Sequence, residues 1–555
     1  MPAVQTRSNA PIGDLDEAVR LYRAGDRQAA LALCRARLSS APDDSQARYA
    51  YAVMLLEGGE LQLGIDELDR ILADDPDHAD ALYSRGAARA RVHDGAGAIA
   101  DLERAIALTP GRVDAYLALA GVHRRAERLQ DAVDVLRRGH GEAPHHAGLI
   151  NNLASLLAES GAVDESVALL GDLVTHEPRS TAGHYNLGNA LKAAGRLDEA
   201  IEHLTRASEL DPGFYSAWHN LGNALFDLGR IDEGAQAYNR ATEIKRRPGG
   251  AETPPSNFQR TSRTKLEHDI EQFEHLLAKG ILPEPYRRTV AAYRAALDLL
   301  ATPEADTFSV DIPAAAAKDL KPTYNRLIHK EPGAALAGPA VNPELDIDAI
   351  EADYRTNKPG MTFFDNFLTP EAVAGLRRFC LDSTIWYEFR YSNGYLGAFI
   401  EDGFCCPLLL QVAEEMRLAL PRIFKHHTLR KLWAFKYDSR LSGIPMHADF
   451  AAVNVNFWIT PDEANLDAQG GGLVVWDVEA PLDWDFVAYN RDTSRMRKFL
   501  EDHNAGSFAV PHRQNRVVMF NSDLFHETGP LKFRPGYENR RINITMLYGK
   551  RDDTA

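Results

Sequence analysis

Hydrophobic and polar positions change texture twice along the chain. Up to Ile244 apolar residues recur at helical spacing in short blocks separated by polar turns. Prolines set the register of these blocks: Pro42, Pro76, Pro110, Pro144, Pro178 and Pro212 follow at intervals of 34 residues. Gly59, Gly161, Gly195 and Gly229 share a second phase, with Gly25 in step at the front. Five residues beyond that phase the residue is small: Ala30, Gly64, Ala98, Ala132, Ser166, Ala200, Gly234. The pattern predicts paired amphipathic helices. The glycine lies in the turn, the small residue lets the helices approach, and the proline ends the second helix. About seven such units fill residues 9–246, with weaker first and last units acting as caps.

After Ile244 the helical repeat stops. KRRPGGAETPPSNFQR is rich in proline, glycine and polar residues and reads as a linker. Leu266, Ile270, Phe273, Leu276 and Leu277 then share one face of a helix, and PEPYRRTVAAYRAALDLL predicts a second. These two would cap the repeats or brace the next domain. Residues 303–358 carry many prolines and alanines without a period and read as an extended connection, so 247–358 forms a linker with a helical pair.

From 359 to 551 the texture is different again. FFDNFLTPEAVAGLRRFCLDSTIW predicts a short strand, Thr369 as helix N-cap and an amphipathic helix, and CCPLLLQVAEEMRLALPRIF a second helix. The runs LWAFKYD, VNVNFWIT, GGLVVWD, NRVVMFNSD and RRINITMLYG are strand-like and separated by polar turns, which predicts an antiparallel β-sandwich or barrel. The fold class is therefore multidomain, an N-terminal α-solenoid followed by a β-domain with flanking helices.

Composition narrows the function. At 555 residues the chain exceeds one core. A net charge of −17 argues against a general nucleic-acid or anionic-membrane binder. Cys34, Cys380, Cys405 and Cys406 are too scattered for a disulfide framework or a metal-binding Cys-x-x-Cys, so Cys405 and Cys406 are expected to be buried apolar residues. The N-terminus lacks the apolar core of a signal peptide and no run reaches membrane-spanning length, so a reducing, cytoplasmic setting is expected.

The chemistry lies in the β-region. His447 and Asp449 form His-x-Asp within MHADF, and His526 follows in DLFHETGP. Residues i and i+2 on an extended strand face the same way, so one imidazole and one carboxylate can grip one ion. A second imidazole from a distant strand completes a triangular face and leaves three adjacent positions open, a geometry suited to Fe(II) oxygen chemistry. On the last strand Arg541, Asn543 and Thr545 share one face, and Ile542, Ile544 and Met546 the other. The same alternation points Asn454, Asn456 and Trp458 at the polar side. His426, His427 and His512 are expected to be surface or satisfied residues.

Two resemblances follow from these residues. YNLGNALKAAGRLDEAIEHLTRASELDP and HNLGNALFDLGRIDEGAQAYNRATEI resemble the tetratricopeptide repeat. Asn152, Asn186 and Asn220 recur at one position of three successive units. In some relatives such asparagines hold a peptide backbone, because an amide donates and accepts at once. A place in the repeat consensus is the alternative. The segments around His447 and His526 resemble the prolyl-4-hydroxylase-like branch of the 2-oxoglutarate oxygenases. That resemblance implies a double-stranded β-helix (jelly roll) and a cosubstrate carboxylate held by Tyr437 and by a final-strand arginine. Trp458 would lie near the cosubstrate. Arg541 rather than Arg540 is expected in the arginine role, although its 15-residue gap from His526 exceeds the family's usual spacing.

The implied cofactors are Fe(II), 2-oxoglutarate and O2, with ascorbate in support. The implied reaction is hydroxylation with release of succinate and CO2, and retention of Asp449 argues against halogenation. The expected substrate is a protein or peptide recruited by the repeats. A small-molecule hydroxylase with repeats that dock a partner, and a scaffold with an inactive oxygenase domain, are the alternatives.

Overall fold

The structure is a computed structural model that describes residues 15–250, 256–300, 309–356, 360–391, 394–438 and 443–551. It divides into two compact units between Leu210 and Asp211. The expected solenoid start at residue 9 and residue 359 lie outside the described residues.

The first unit is built of helix pairs, from Leu15–Arg23 with Arg27–Ser40 to Thr181–Ala193 with Leu197–Leu210. Asp26, Asp44, Asp94 and Ser180 cap helices by accepting the amide three residues on. Ala30, Ala98, Ala132 and Ala200 are fully buried where paired helices cross. At Gly64 a Cβ would fall 2.5 Å from Leu56 Cδ2, so an alanine there would require Leu56 to shift. The turn position is left-handed in every unit: Gly25, Gly59, Gly161 and Gly195 have φ between 75° and 90°. His93 and Glu127 occupy the same phase at φ 64° and 58°, which explains why the glycine period skips two repeats without the turn being lost.

The second unit begins with one more such pair, Tyr215–Asp227 and Ile231–Arg246. Phe226, Ala235 and Tyr238 of this pair join a core with Phe379, Trp386, Phe404 and Phe424. Arg246 pairs with Asp402, and Arg430 with Asp227 at 3.0 Å. The last predicted repeat is thus part of the C-terminal body.

Besides a two-residue pairing of Arg260–Thr261 with Val310–Asp311, the described residues from 360 onward form two antiparallel sheets. The strands are β1 (Met361–Phe364), β2 (Leu396–Phe399), β3 (Leu429–Tyr437), β4 (Val453–Trp458), β5 (Leu473–Glu479), β6 (Ser507–Val510), β7 (Val517–Asn521), β8 (Leu524–Thr528) and β9 (Arg541–Tyr548). One sheet has the order β1-β7-β4-β9-β3-β2, the other β8-β5-β6. Met361, Trp458, Val518 and Phe520 from the first meet Leu473, Val475, Val510 and Leu524 from the second in a common apolar layer. On the opposite face of the larger sheet, Ile542, Ile544 and Met546 pack with the helices Pro370–Asp382 and Pro407–Ala419. Strands β2 and β6 and the helices Phe486–Asn490 and Thr493–Asp502 were not predicted from the sequence, each being too short to show a period, while β8 is the strand expected to carry His526.

The middle helices brace this body. In Arg263–Ala278 the Gln272 amide donates to Leu381 O, Ser383 O and the Tyr537 hydroxyl, while His275 and Lys279 bond Asp382 at 2.8 and 2.5 Å. The segment read as extended contains the helices Ala314–Leu320 and Ile347–Thr356 with irregular chain between them. Side chains satisfy part of its backbone: Thr384 Oγ1 accepts from Ile328 and His329, and Glu415 accepts from Ala340 and Val341.

Because His93 and Glu127 are exposed, replacing either with glycine removes left-handed strain without losing packing. His93→Gly and Glu127→Gly should each stabilise the protein by about 0.5–1 kcal/mol in urea unfolding, the strain relieved less glycine's extra entropy. Gly195→Ala should do the reverse. Loss of stability in the glycine variants would contradict this account of the turn.

Candidate metal centre

The site is assembled where the chain before β4 meets β8. His447 N donates to His526 O at 3.0 Å and His526 N to His447 O at 2.8 Å, so the two histidines face each other as an antiparallel pair. Asp449 N donates to Ser522 O at 3.0 Å. The residue between the ligands is clamped from outside: Ala448 N donates to Tyr489 O at 2.8 Å and the Asn490 amide donates to Ala448 O at 2.9 Å. The helix Phe486–Asn490 therefore holds the His-x-Asp segment in place.

The side chains converge. His526 Nε2 lies 3.6 Å from Asp449 Oδ2, and His447 Nε2 lies 4.0 Å from Asp449 Oδ1. One ligand atom from each residue falls within 4.8 Å of the others, the separation a single bound cation requires. Each imidazole Nδ1 faces a carbonyl, Pro445 O for His447 at 2.9 Å and Leu524 O for His526 at 3.0 Å. An Nδ1–H donated there leaves Nε2 with its lone pair toward the centre, the tautomer a metal ligand needs. Burial, then the neighbouring His447, holds the His526 imidazole well below the usual histidine range and so neutral. Burial pushes the Asp449 carboxyl up, opposed by His447 and by Asn454. An imidazole held neutral and a carboxylate destabilised by burial both gain from a cation between them.

A cavity opens beside these ligands, lined by Trp433, Phe435, Tyr437, Ile444, Leu473, Asn456, Thr528, Arg541, Asn543 and Thr545. Its polar floor comes from β4 and β9, its aromatic wall from β3. Tyr391, Tyr395 and Phe435 extend that wall, with Tyr391 and Tyr395 stacked at 4.2 Å. Arg541 is buried, its Nε donating to Gly471 O at 2.5 Å and its guanidinium lying 4.8 Å from the Tyr437 ring centre. Arg541 Nη1, the Tyr437 hydroxyl and Asn543 Oδ1 are all buried without a hydrogen bond of good geometry, although Arg541 and Thr528 lie close enough to the Tyr437 hydroxyl to oppose the rise that burial gives its pKa. Unpaired buried donors are costly, so Arg541 Nη1 and the Tyr437 hydroxyl fit an acceptor such as a ligand carboxylate. Arg540 points elsewhere, bonding Glu271 at 2.7 Å and Asp438 at 3.3 Å.

His447, Asp449, His526, Tyr437 and Arg541 are thus brought together, while Trp458 sits behind Arg541 in the layer between the sheets, 5.7 Å from its guanidinium. His512 departs from expectation: it is neither exposed nor satisfied. It is buried against Trp458 and Phe533 with no hydrogen bond to either ring nitrogen, and burial beside Arg541 pushes its pKa down to about 3. His427 is buried and in ring contact with His426. Nothing in the loop sequence VPHRQN signals His512. Trp433 and Phe435 were not named from the sequence either, but their alternation with Tyr437 along one strand face is the signal that could have found them.

A family model of the tetratricopeptide repeat matches residues 15–79, 83–147, 151–213 and 185–251. The N-terminal region is a tetratricopeptide-repeat solenoid. The chain is similar to the crystal structure of YrrB, a tetratricopeptide protein with an unusual peptide-binding site. That match has 20% identity and a TM-score of 0.29, and covers 34% of this chain and 96% of that one. It is similar also to a tetratricopeptide repeat protein from Parabacteroides merdae, at 13% identity and a TM-score of 0.35, covering 44% and 94% of the two chains. A third likeness is to pilF of Pseudomonas aeruginosa, at 18% identity and a TM-score of 0.32, covering 37% and 92%. No curated protein matches the chain. In the tetratricopeptide region the Asn152 amide is exposed and donates to Gly148 O, and Asn186 donates to Asn151 at 2.7 Å. Asn220, in the second unit, accepts from Asn223 at 3.4 Å. Among the described residues no helix is long and apolar enough to cross a membrane.

Replacing His447, Asp449 or His526 with alanine should weaken Co(II) binding by more than about 100-fold, beyond the loss typical of outer-shell changes, with the far-UV circular dichroism unchanged. Wild-type affinity in any of the three would remove that residue from the centre.

Proposed function

We propose that the C-terminal body is a 2-oxoglutarate- and Fe(II)-dependent oxygenase of jelly-roll type that hydroxylates a polypeptide recruited by the tetratricopeptide repeats. The observation that carries this reading is the convergence of two Nε2 atoms and one carboxylate beside a cavity with two unpaired buried donors. The 2-His-1-carboxylate set is the ligand type of non-haem iron oxygenases. Two antiparallel sheets of six and three strands that share an apolar layer support the jelly-roll reading.

The iron with 2-oxoglutarate and O2 supplies an oxidant for an unactivated C–H bond, and 2-oxoglutarate leaves as succinate and CO2. The chain's own residues do the rest. His447 and His526 present Nε2 lone pairs, fixed by their Nδ1 bonds to backbone. Arg541 offers a planar fork and Tyr437 a hydroxyl to the far carboxylate of the cosubstrate. Asn456, Asn543 and Thr545 keep the floor polar, and the aromatic wall of β3 excludes water from the substrate side. Asparagines at a repeated position of the solenoid suit a peptide backbone, which needs donor and acceptor together.

Three outcomes test the proposal. Purified protein with Fe(II), ascorbate and 2-oxoglutarate should release succinate, and His447→Ala should not; equal release from both would exclude this centre as the source. Arg541→Ala should raise the KM for 2-oxoglutarate by about 100-fold, the loss of one charged hydrogen-bonded contact of about 3 kcal/mol. Arg540→Ala, which faces Glu271 and Asp438, should change it little. Replacing Asn152, Asn186 and Asn220 together should weaken polypeptide binding and leave uncoupled succinate release intact; unchanged binding would return them to the repeat consensus.

A further inference from the structure

An amide ladder runs through the floor of the cavity to the metal-facing carboxylate. The Thr545 hydroxyl and the Asn543 amide both donate to Asn456 Oδ1, at 2.7 and 2.9 Å. Asn456 Nδ2 donates to Asn454 Oδ1 at 2.6 Å, and Asn454 Nδ2 donates to Asp449 Oδ2 at 2.5 Å. All four ladder residues are at least nine-tenths buried, and they come from the paired central strands β4 and β9. The donors that link one strand or residue to the next point from β9 toward Asp449, while within β9 the Asn543 amide also donates to Thr545 Oγ1 at 3.0 Å.

That polarity follows from the end of the ladder. An amide carbonyl turned toward an ionised carboxylate would repel it, so Asn454 must present its NH2. Its carbonyl then faces Asn456 and needs a donor there, and the Asn456 carbonyl in turn needs donors from Asn543 and Thr545. Two central strands are thus locked into one hydrogen-bonding sense by one carboxylate.

Resting on the oxygenase reading above, we infer that Asn454 is a positioning residue of the metal centre, which fixes the rotation of the Asp449 carboxylate through Oδ2. Oδ1 lies 4.0 Å from His447 Nε2 and Oδ2 3.6 Å from His526 Nε2, so this rotation sets which oxygen faces each imidazole. The arrangement matters because a carboxylate that binds through both oxygens fills one more position on the cation. A 2-His-1-carboxylate site has to keep three adjacent positions free for the cosubstrate and O2. A buried donor on one oxygen disfavours binding through both, and partners of this kind tune a metal site through the ligand they orient. The sequence places Asn454 five residues after Asp449, on the next strand, so the ladder is built into the register of β4 against β9.

The test uses the full chain and Co(II), whose ligand-field spectrum reports coordination number. Asn454→Leu should alter the Co(II) spectrum and raise the Kd for Co(II) by about 10–100-fold. Asn454→Ser, too short to reach Asp449, should do the same if the leucine variant fails to fold. Asn456→Leu frees the Asn454 amide to turn and should give the same spectral change with a smaller loss of affinity. A folded Asn454 variant with the wild-type spectrum and wild-type affinity would overturn the positioning role while leaving the metal centre standing. If instead His447→Ala binds Co(II) as wild type does, the metal reading itself falls, and this inference with it.

Discussion

Two backbone hydrogen bonds between His447 and His526 hold together segments that are far apart in sequence, and everything chemical in the C-terminal body depends on them. Side chains alternate along a strand, so a slip of one residue in that pairing would turn an imidazole away from Asp449. The register is fixed from several sides. β8 pairs with β5 through a local irregularity between Leu524 and His526, the kind of bulge that re-aims a side chain at a site. The helix Phe486–Asn490 grips Ala448 at both of its backbone polar groups. Asp449 is tied to Ser522 through its own amide and to Asn454 through its side chain. The three ligand groups therefore meet without relying on any one loop.

Burial sets the character of the site. Removing water from Asp449 and His526 disfavours charge on each, which leaves a neutral imidazole and a carboxylate that gains from a cation. The same burial leaves the Arg541 Nη1 and Tyr437 hydroxyl donors unpaired, at a cost of about 1–3 kcal/mol each if nothing accepted from them. The opposite face of β9 shows the contrast: Ile542, Ile544 and Met546 are fully buried in the apolar core beneath the helices. One strand thus separates the packing that stabilises the body from the polar floor of the cavity, and Arg540, at the edge of that strand, bonds Glu271 and Asp438 instead.

What the sequence disclosed followed periodicity. The repeat phase placed the helix pairs, and strand alternation separated Arg541, Asn543 and Thr545 from their apolar neighbours. The phase was incomplete at His93 and Glu127 because the turn demands a backbone conformation, and residues other than glycine can adopt it at a cost. Features that depend on contacts between distant segments were not legible. The clamp on Ala448 comes from a helix with no readable period. His512 acquires its environment from Trp458 and Phe533, which lie far from it in the chain. The grouping of the last repeat pair with the C-terminal body rests on Phe226, Ala235 and Tyr238, whose partners no repeat pattern could name.

The central claim is that His447, Asp449 and His526 hold an iron that 2-oxoglutarate can chelate beside Arg541. Anaerobic addition of 2-oxoglutarate to the Fe(II)-loaded protein tests it directly, because an Fe(II) chelated by a 2-oxo acid absorbs visible light by charge transfer. The account predicts that this band appears with the wild-type protein and is absent from His526→Ala. A wild-type protein that retains Fe(II) yet shows no band at saturating 2-oxoglutarate would contradict it.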